Sequence, residues 1–403
     1  MFPRFLYVFC FFLSVLFLCL HPLSENQFGT QSDEGYYYSY SKTISQNGVG
    51  SFHNLIHWYA SSEQARKHPN PFRVGYLLLT STLFKFFGPS YSLLGMVSLI
   101  SFLIFLGVCF YFARKHFGID VALMFVLLLS ASPLMLGMSR RGLVDSSNNL
   151  LWGLAVWLFL DFLDKGSLFK YLLFLMSFFL CLVFKEISIV LLPFFIIFSF
   201  WGRHAYGIKI SNGQIMGIIL WPLLALGCMY GIVLGGWSDL GVLATSLFKT
   251  HYQSANPYAL YYSSGPWYRY IVDFILLSPV TTLLCIGYVF YLFLNPPANW
   301  KKTYFLCYFI IVYSLLSSFQ HSKVVRFAIN LDMVMCLFSV FMVFELFRRL
   351  ESQQREKWLL FALVIIFAVN FKSFLNIFYF PSLLDPISAN LLSLQWFIPM
   401  SRF

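Results

Sequence analysis

From Tyr91 to Phe112 the chain carries no charged side chain. A run of about 20 such residues, wound as a helix, crosses the roughly 30 Å hydrocarbon core of a bilayer. Lipid offers backbone amides no hydrogen-bond partners, so a chain built from such runs must satisfy them inside helices. Other apolar runs, several of them carrying one or two charges, recur at about 119–138, 144–163, 168–184, 187–202, 214–234, 268–294, 303–319, 327–347 and 358–378. With a first run at about 5–23, they predict an all-α, polytopic membrane protein of about eleven transmembrane helices. Composition points the same way: of 403 residues, 59% are hydrophobic and 11% charged, more apolar surface than a soluble domain can hide.

The run at 5–23 exceeds a signal-peptide core and no small-x-small cleavage site follows, so it reads as an uncleaved span with Arg4 on its cytoplasmic flank. Residues 24–90 form a first outer loop, too polar up to residue 73 to cross a membrane. Phe52, Leu55, Ile56 and Tyr59 fall on one helical face after the Asn47-Gly48 turn, which predicts amphipathic helices on the membrane surface. The apolar stretch 75–87 is short for a span. Reading it as interfacial or re-entrant keeps the dense basic clusters Arg114-Lys115, Lys301-Lys302 and Arg348-Arg349 on the cytoplasmic side. That topology puts the N-terminus inside and the C-terminus outside, with a second outer loop at 235–267 holding Tyr252, Tyr258, Tyr261 and Tyr262. Residues 1–403 then form one integral-membrane domain, with no soluble domain legible at either end. The eight cysteines all sit in apolar runs without a Cys-x-x-Cys pair and read as small buried hydrophobes.

Ionisable groups gather on the outer side of this topology. Ser32-Asp33-Glu34-Gly35-Tyr36-Tyr37-Tyr38 opens the first loop, and His68-Pro69-Asn70-Pro71 closes it, with Arg66, Lys67 and Arg73 alongside. Arg140, Arg141 and Asp145, then Lys185 and Glu186, then His321, Lys323 and Arg326 share that face. Charges at membrane depth point to function. Guanidinium groups suit bidentate phosphate recognition, and a carboxylate suits removal of a hydroxyl proton. Bland readings stand beside these. Asp33 could cap the helix beginning near Gly35, Tyr36 to Tyr38 could be interfacial belt residues, and Arg140-Arg141 and Lys185-Glu186 could form structural ion pairs with Asp145 or each other. His53 and His57, four apart, lack an obvious third metal ligand. A divalent ion on Asp33 and Glu34 is conceivable but not favoured, so no cofactor or metal is expected. The net charge of +11 fits an anionic lipid or phosphorylated substrate as well as ordinary loop bias. Nothing suggests nucleic acid.

The order of these motifs resembles the GT-C glycosyltransferases, in particular the protein O-mannosyltransferase and aminoarabinose-transferase branch. The likeness runs through Asp33-Glu34, His68-Pro69, Ser132-Pro133, Ser139-Arg140, Asp145 and Lys185-Glu186, and ends with His321-Ser322-Lys323-Val324-Val325-Arg326-Phe327. It covers most of the first 200 residues plus that late loop. Asn330 stands where many members have a proline, and Asn70 interrupts their His-Pro-Pro. The resemblance implies a polyprenyl-phosphate sugar donor, a lipid, glycan or protein hydroxyl as acceptor, and action on the extracytoplasmic face of a membrane, here a bacterial inner membrane. It makes Asp33 the base and Glu34 its supporting partner. Lys323 and Arg326 hold the donor phosphate, with Arg140, Arg141 and His321 as further candidates. His68, Arg66, Asp145, Lys185, Glu186 and Tyr37 are expected to bind or support substrate. The competing class is a transporter or flippase of an anionic polyprenyl-linked lipid, which would place charges and broken helices at the bilayer midplane. Asp332, inside its span, is the residue that fits that pattern.

Overall fold

The computed structural model describes residues 9–16, 32–62, 65, 68–205, 207, 210–233, 241, 265–296, 300–319 and 323–379, and its regular structure there is entirely helical. The helices Tyr91–Phe117, Glu186–His204, Asn212–Val233 and Ser352–Tyr379 are each long and apolar enough to cross a membrane. Val74–Phe87, Leu168–Phe184 and Pro279–Leu294 are apolar but shorter. Large side chains such as Met96, Ile100, Ile104, Leu168, Phe169 and Met176 stand exposed on these helices. Surface of that kind is stable against lipid and a liability in water.

Two of the runs expected to be continuous are broken, each at a Ser-Pro step. The run at 119–138 becomes Ile119–Ser130 and Pro133–Ser139, bent by 63°. The run at 268–294 becomes Arg269–Leu277 and Pro279–Leu294, with Ser278 between them at φ −140°. Proline cannot donate to the helix behind it and pushes the preceding residue out of helical geometry, yet it suits the first position of the next helix. Hydropathy averages over such a step and misses it.

The described residues of Leu23–Ile100 and Arg141–Ser264 form one compact unit. There Phe159, Phe174, Phe178 and Phe195 interlock, with ring centroids of Phe159 and Phe195 4.7 Å apart and of Phe174 and Phe195 4.8 Å apart. Val74–Phe87 approaches Leu168–Phe184 so closely that a β-carbon on Gly75 would lie 2.6 Å from Phe184 Cδ2. The surface helix Ser51–Ser61 buries Phe52, Ile56 and Tyr59, three of the four residues its periodicity picked out, with Leu55 half-buried. The second unit comprises Met1–Pro22, Ser101–Arg140 and Gly265–Phe403 in their described parts. Its centre is Leu331–Leu346, whose residues from Leu331 to Val340 are all buried. The Ser339 hydroxyl donates to the Thr281 carbonyl at 2.8 Å, and the Asn370 amide donates to Thr281 Oγ1 at 3.0 Å. Six of the seven described cysteines are buried as expected, whereas Cys228 is exposed, and none is in a disulfide.

Candidate active site

Helix Asp33–Asn47 begins at the acidic pair. The capping role falls to Ser32, whose Oγ accepts from Gly35 N at 3.3 Å, so Asp33 is the first helical residue rather than the cap. Both carboxylates then sit in the first turn, where the helix dipole favours negative charge. Their surroundings differ. Asp33 is half-buried, whereas Glu34 is 1% exposed. Arg141 donates through Nε and Nη2 to Glu34 Oε1, each at 2.6 Å. Glu34 Oε2 is buried without a hydrogen-bond partner among the described residues. The Arg141 segment is strapped in place: the Tyr76 hydroxyl donates to Gly142 O at 3.2 Å and the Ser98 hydroxyl to Leu143 O at 3.0 Å.

Two further charge pairs close around the same unit. Lys185 donates to Asp145 Oδ1 at 2.6 Å, with both residues buried, and Asp145 opens the helix Asp145–Lys165. Glu186 accepts from Asn70 Nδ2 at 2.7 Å and pairs with Arg73 Nε at 3.6 Å. The segment 68–73 is held by tyrosines: Tyr40 donates to Pro69 O at 3.1 Å and Tyr230 to Phe72 O at 2.7 Å. His68 stacks on Tyr36 at 4.2 Å, and the Arg73 guanidinium lies 5.4 Å from the Tyr37 ring centre. Burial, with Tyr59, Tyr36 and Asp33 adding, holds the Tyr40 hydroxyl well above the usual phenol pKa, so it remains a donor. Tyr76 lies within electrostatic reach of Glu34, Asp145 and Arg73 together.

Asn70 and Tyr76 are therefore members of the site that sequence reasoning passed over. Asn70 carried a signal in the insertion between two prolines. Tyr76 carried none, as one aromatic residue in an aromatic-rich chain.

In the second unit Lys323 is buried and Arg326 is half-buried in the 3₁₀ turn Val325–Ala328. The Arg326 guanidinium lies 5.6 Å from the Phe327 ring centre. Arg269, read from sequence only as the start of a span, brings a third cation. It is 6% exposed, pairs with Asp273 at 3.7 Å, and its helix packs on the Val325–Ala328 turn. Burial first, and then the Arg269 charge, pull the Lys323 amine below its ordinary pKa. The only sequence mark of Arg269 was its spacing of four from Asp273 in an apolar run. Arg140 lies over the Tyr379 ring at 5.1 Å, its pKa lowered by burial with Tyr379 opposing. Arg66 and His321 lie outside the described residues, as does most of 235–267. Among the described residues no three His, Cys, Asp or Glu side chains come together as a metal cage, and His53 and His57 lie with ring centres 4.4 Å apart.

Among the described residues the fold is helical throughout, with buried carboxylate–cation pairs at helix starts. Residues 67–230 match the dolichyl-phosphate-mannose-protein mannosyltransferase family. ArnT from Cupriavidus metallidurans, solved bound to undecaprenyl phosphate, superposes with a TM-score of 0.62 at 14% identity, covering 90% of this chain and 62% of that one. The oligosaccharyltransferase of Archaeoglobus fulgidus, in complex with zinc and sulfate, also gives 0.62 at 13% identity, over 91% of this chain and 52% of that one. The chain thus spans less than two thirds of the length of either. No curated protein sequence matches it. These likenesses show that the chain shares the fold of those membrane proteins, and residues 67–230 are similar to the mannosyltransferase family over that part of the chain.

Proposed function

We propose that this protein is a membrane glycosyltransferase that moves a sugar from a polyprenyl-phosphate donor to a hydroxyl acceptor. In this reading it acts as one integral-membrane domain on the extracytoplasmic face of a bacterial inner membrane, and residues 24–90 carry the base. The observation that carries the reading is the unequal acidic pair. Glu34 is buried against Arg141, whereas Asp33, in the same first turn, keeps solvent access at a helix start that Ser32 caps. The match to ArnT, solved with undecaprenyl phosphate, supports the donor class.

The chemistry is a single displacement. Asp33 takes the acceptor's hydroxyl proton as that oxygen bonds to the anomeric carbon. The bond from that carbon to the phosphate oxygen breaks, and its electron pair leaves on the phosphate. A phosphate whose charge is neutralised needs no general acid, unlike the leaving group of a glycosidase, and the anomeric configuration inverts. Lys323, Arg326, Arg269 and Arg140 neutralise the phosphate, while Arg141 acts through Glu34. The ion pairs of Asp145, Lys185 and Glu186, with His68 on Tyr36, hold the acceptor-side framework.

Purified protein given a polyprenyl-phosphate sugar and a hydroxyl acceptor should release polyprenyl phosphate, and Asp33→Asn should abolish release while the protein still folds. Wild-type turnover by Asp33→Asn would sink the assignment. Transport of an intact polyprenyl-linked lipid is the second reading, favoured by the broken run at Ala131–Ser132 and the buried Asp332. In the same proteoliposomes it would move labelled donor between leaflets without releasing polyprenyl phosphate.

A further inference from the structure

Asp332 has no part in the chemistry above, yet its carboxyl group is buried in the first turn of Leu331–Leu346. A carboxylate in an apolar helical unit is costly unless a partner satisfies it. Across 200 residues of sequence, Ser132 Oγ donates to Asp332 Oδ2 at 2.5 Å. Ser132 is the N-cap of Pro133–Ser139, where its Oγ accepts from Met135 N at 3.4 Å. It also lies in the break that bends the run by 63°. One hydroxyl therefore ties a carboxyl group in the first turn of one helix to the first turn of another.

Each tied helix start leads to a cation assigned above to the donor phosphate. Pro133–Ser139 ends at Arg140. That helix is so close to the turn Leu375–Tyr379 that a β-carbon on Gly137 would lie 2.5 Å from Phe378 Cδ1. Leu331–Leu346 follows directly on the turn bearing Arg326. Between Arg326 and Asp332 the chain is held at several points. The Tyr313 hydroxyl donates to Phe327 O at 2.9 Å, the Asn330 amide donates to Tyr313 Oη at 3.3 Å, and Asp332 N returns to Ile329 O at 3.1 Å. With so little slack, moving Asp332 moves Arg326, and moving Ser132 moves Arg140.

We infer that Asp332 is a positioning residue, which through Ser132 sets two helix starts in register and so presents Arg140 and Arg326 to the phosphate of one lipid headgroup. The inference rests on the donor-phosphate reading of those two cations. Its test measures the Kd of the purified protein for polyprenyl phosphate in detergent micelles, together with kcat and KM for a polyprenyl-phosphate sugar.

Ser132→Ala and Asp332→Leu should each weaken binding about tenfold and raise KM in step, as expected for loss of one hydrogen bond to a charged group. The kcat at saturating donor should stay within about twofold, the pattern of lost binding rather than lost chemistry. Ser132→Thr and Asp332→Asn keep donor and acceptor and should bind like wild type, and the double variant Ser132→Ala/Asp332→Leu should bind no worse than Asp332→Leu. If Asp332→Leu does not fold, Ser132→Ala against Ser132→Thr carries the test alone. Wild-type Kd in Ser132→Ala, a fall in kcat at unchanged Kd, or Asp332→Asn binding as poorly as Asp332→Leu would each overturn the inference. If the wild type binds no polyprenyl phosphate, the donor reading fails and this inference with it. If it binds and the variants bind equally well, only the positioning role fails.

Discussion

Replacing Arg141 with alanine isolates what the acidic pair owes to its cation. Glu34 is 1% exposed, and its Oε2 already lacks a hydrogen-bond partner among the described residues. Its Oε1 carries both guanidinium contacts at 2.6 Å. Arg141→Ala therefore leaves a buried carboxylate with neither oxygen paired to that guanidinium. Removing one partner of a buried ion pair costs about 3–5 kcal/mol, and the 17% exposure of the Arg141 side chain points to the lower end, about 3 kcal/mol. Arg141→Lys keeps the charge but loses the two-pronged contact and should cost about 1–2 kcal/mol.

The decisive comparison is Glu34→Met/Arg141→Leu, which removes both charges at once. An apolar replacement of similar volume is close to neutral for stability, so the double variant should melt nearer wild type than Arg141→Ala does. Thermal unfolding of the detergent-solubilised protein reads stability, and release of polyprenyl phosphate reads activity. All three variants should lose activity, because Asp33 shares its helix turn with Glu34. A melting temperature unchanged in Arg141→Ala, or a double variant less stable than the single one, would refute the claim that the pair is a buried, mutually dependent unit.

Other consequences follow from the same geometry. Lys185→Met leaves Asp145 buried without its 2.6 Å partner and should destabilise by about 3–5 kcal/mol, an effect that Asp145→Asn in the same chain should largely relieve. Gly75→Ala puts a β-carbon 2.6 Å from Phe184 Cδ2 and should cost about 1–3 kcal/mol, recovered in part by Phe184→Leu in a thermal-melt series. Tyr230→Phe removes the 2.7 Å hydrogen bond to Phe72 O, a carbonyl that keeps its 2.8 Å bond from Val74 N, and should cost about 0.5–1.5 kcal/mol in the same melts. The Lys323 amine, held below the ordinary lysine value of 10.5, loses its proton at lower pH than a free lysine. Because the neutral amine cannot hold a phosphate charge, affinity for polyprenyl phosphate should fall as pH rises towards 10.5. Lys323→Arg, titrated in the same binding assay, should shift that fall upward; an unchanged alkaline limb would remove Lys323 from the phosphate site.

Much of the fold was legible because insertion into a bilayer is a local property of a run of residues. The stretches around 91–112, 168–184 and 214–234 are helices near those bounds, and the short stretch 75–87 is the helix Val74–Phe87. The acidic pair at 33–34 was legible for a similar reason, since two carboxylates beside an apolar run stand out in any window. The helix breaks at Ala131–Ser132 and Ser278 were written in Ser-Pro steps that a hydropathy average smooths away.

Partner choice could not be read that way. The sequence offered Arg140, Arg141, Lys185 and Glu186 as candidates to pair with Asp145 or each other, and periodicity says which residues share a face, never which face meets which. Packing decided that Arg141 meets Glu34 across 107 residues, Lys185 meets Asp145 across 40, and Glu186 meets Asn70 across 116. It also brought Arg269 and Lys323 into mutual reach and set Ser132 against Asp332. By itself the sequence determined a helical membrane protein with its acidic pair at a helix start, since apolar length and helix chemistry act within a few residues. Only the tertiary structure decided which charge answers which, because a buried ion pair forms where helices distant in sequence pack closely enough to exclude water.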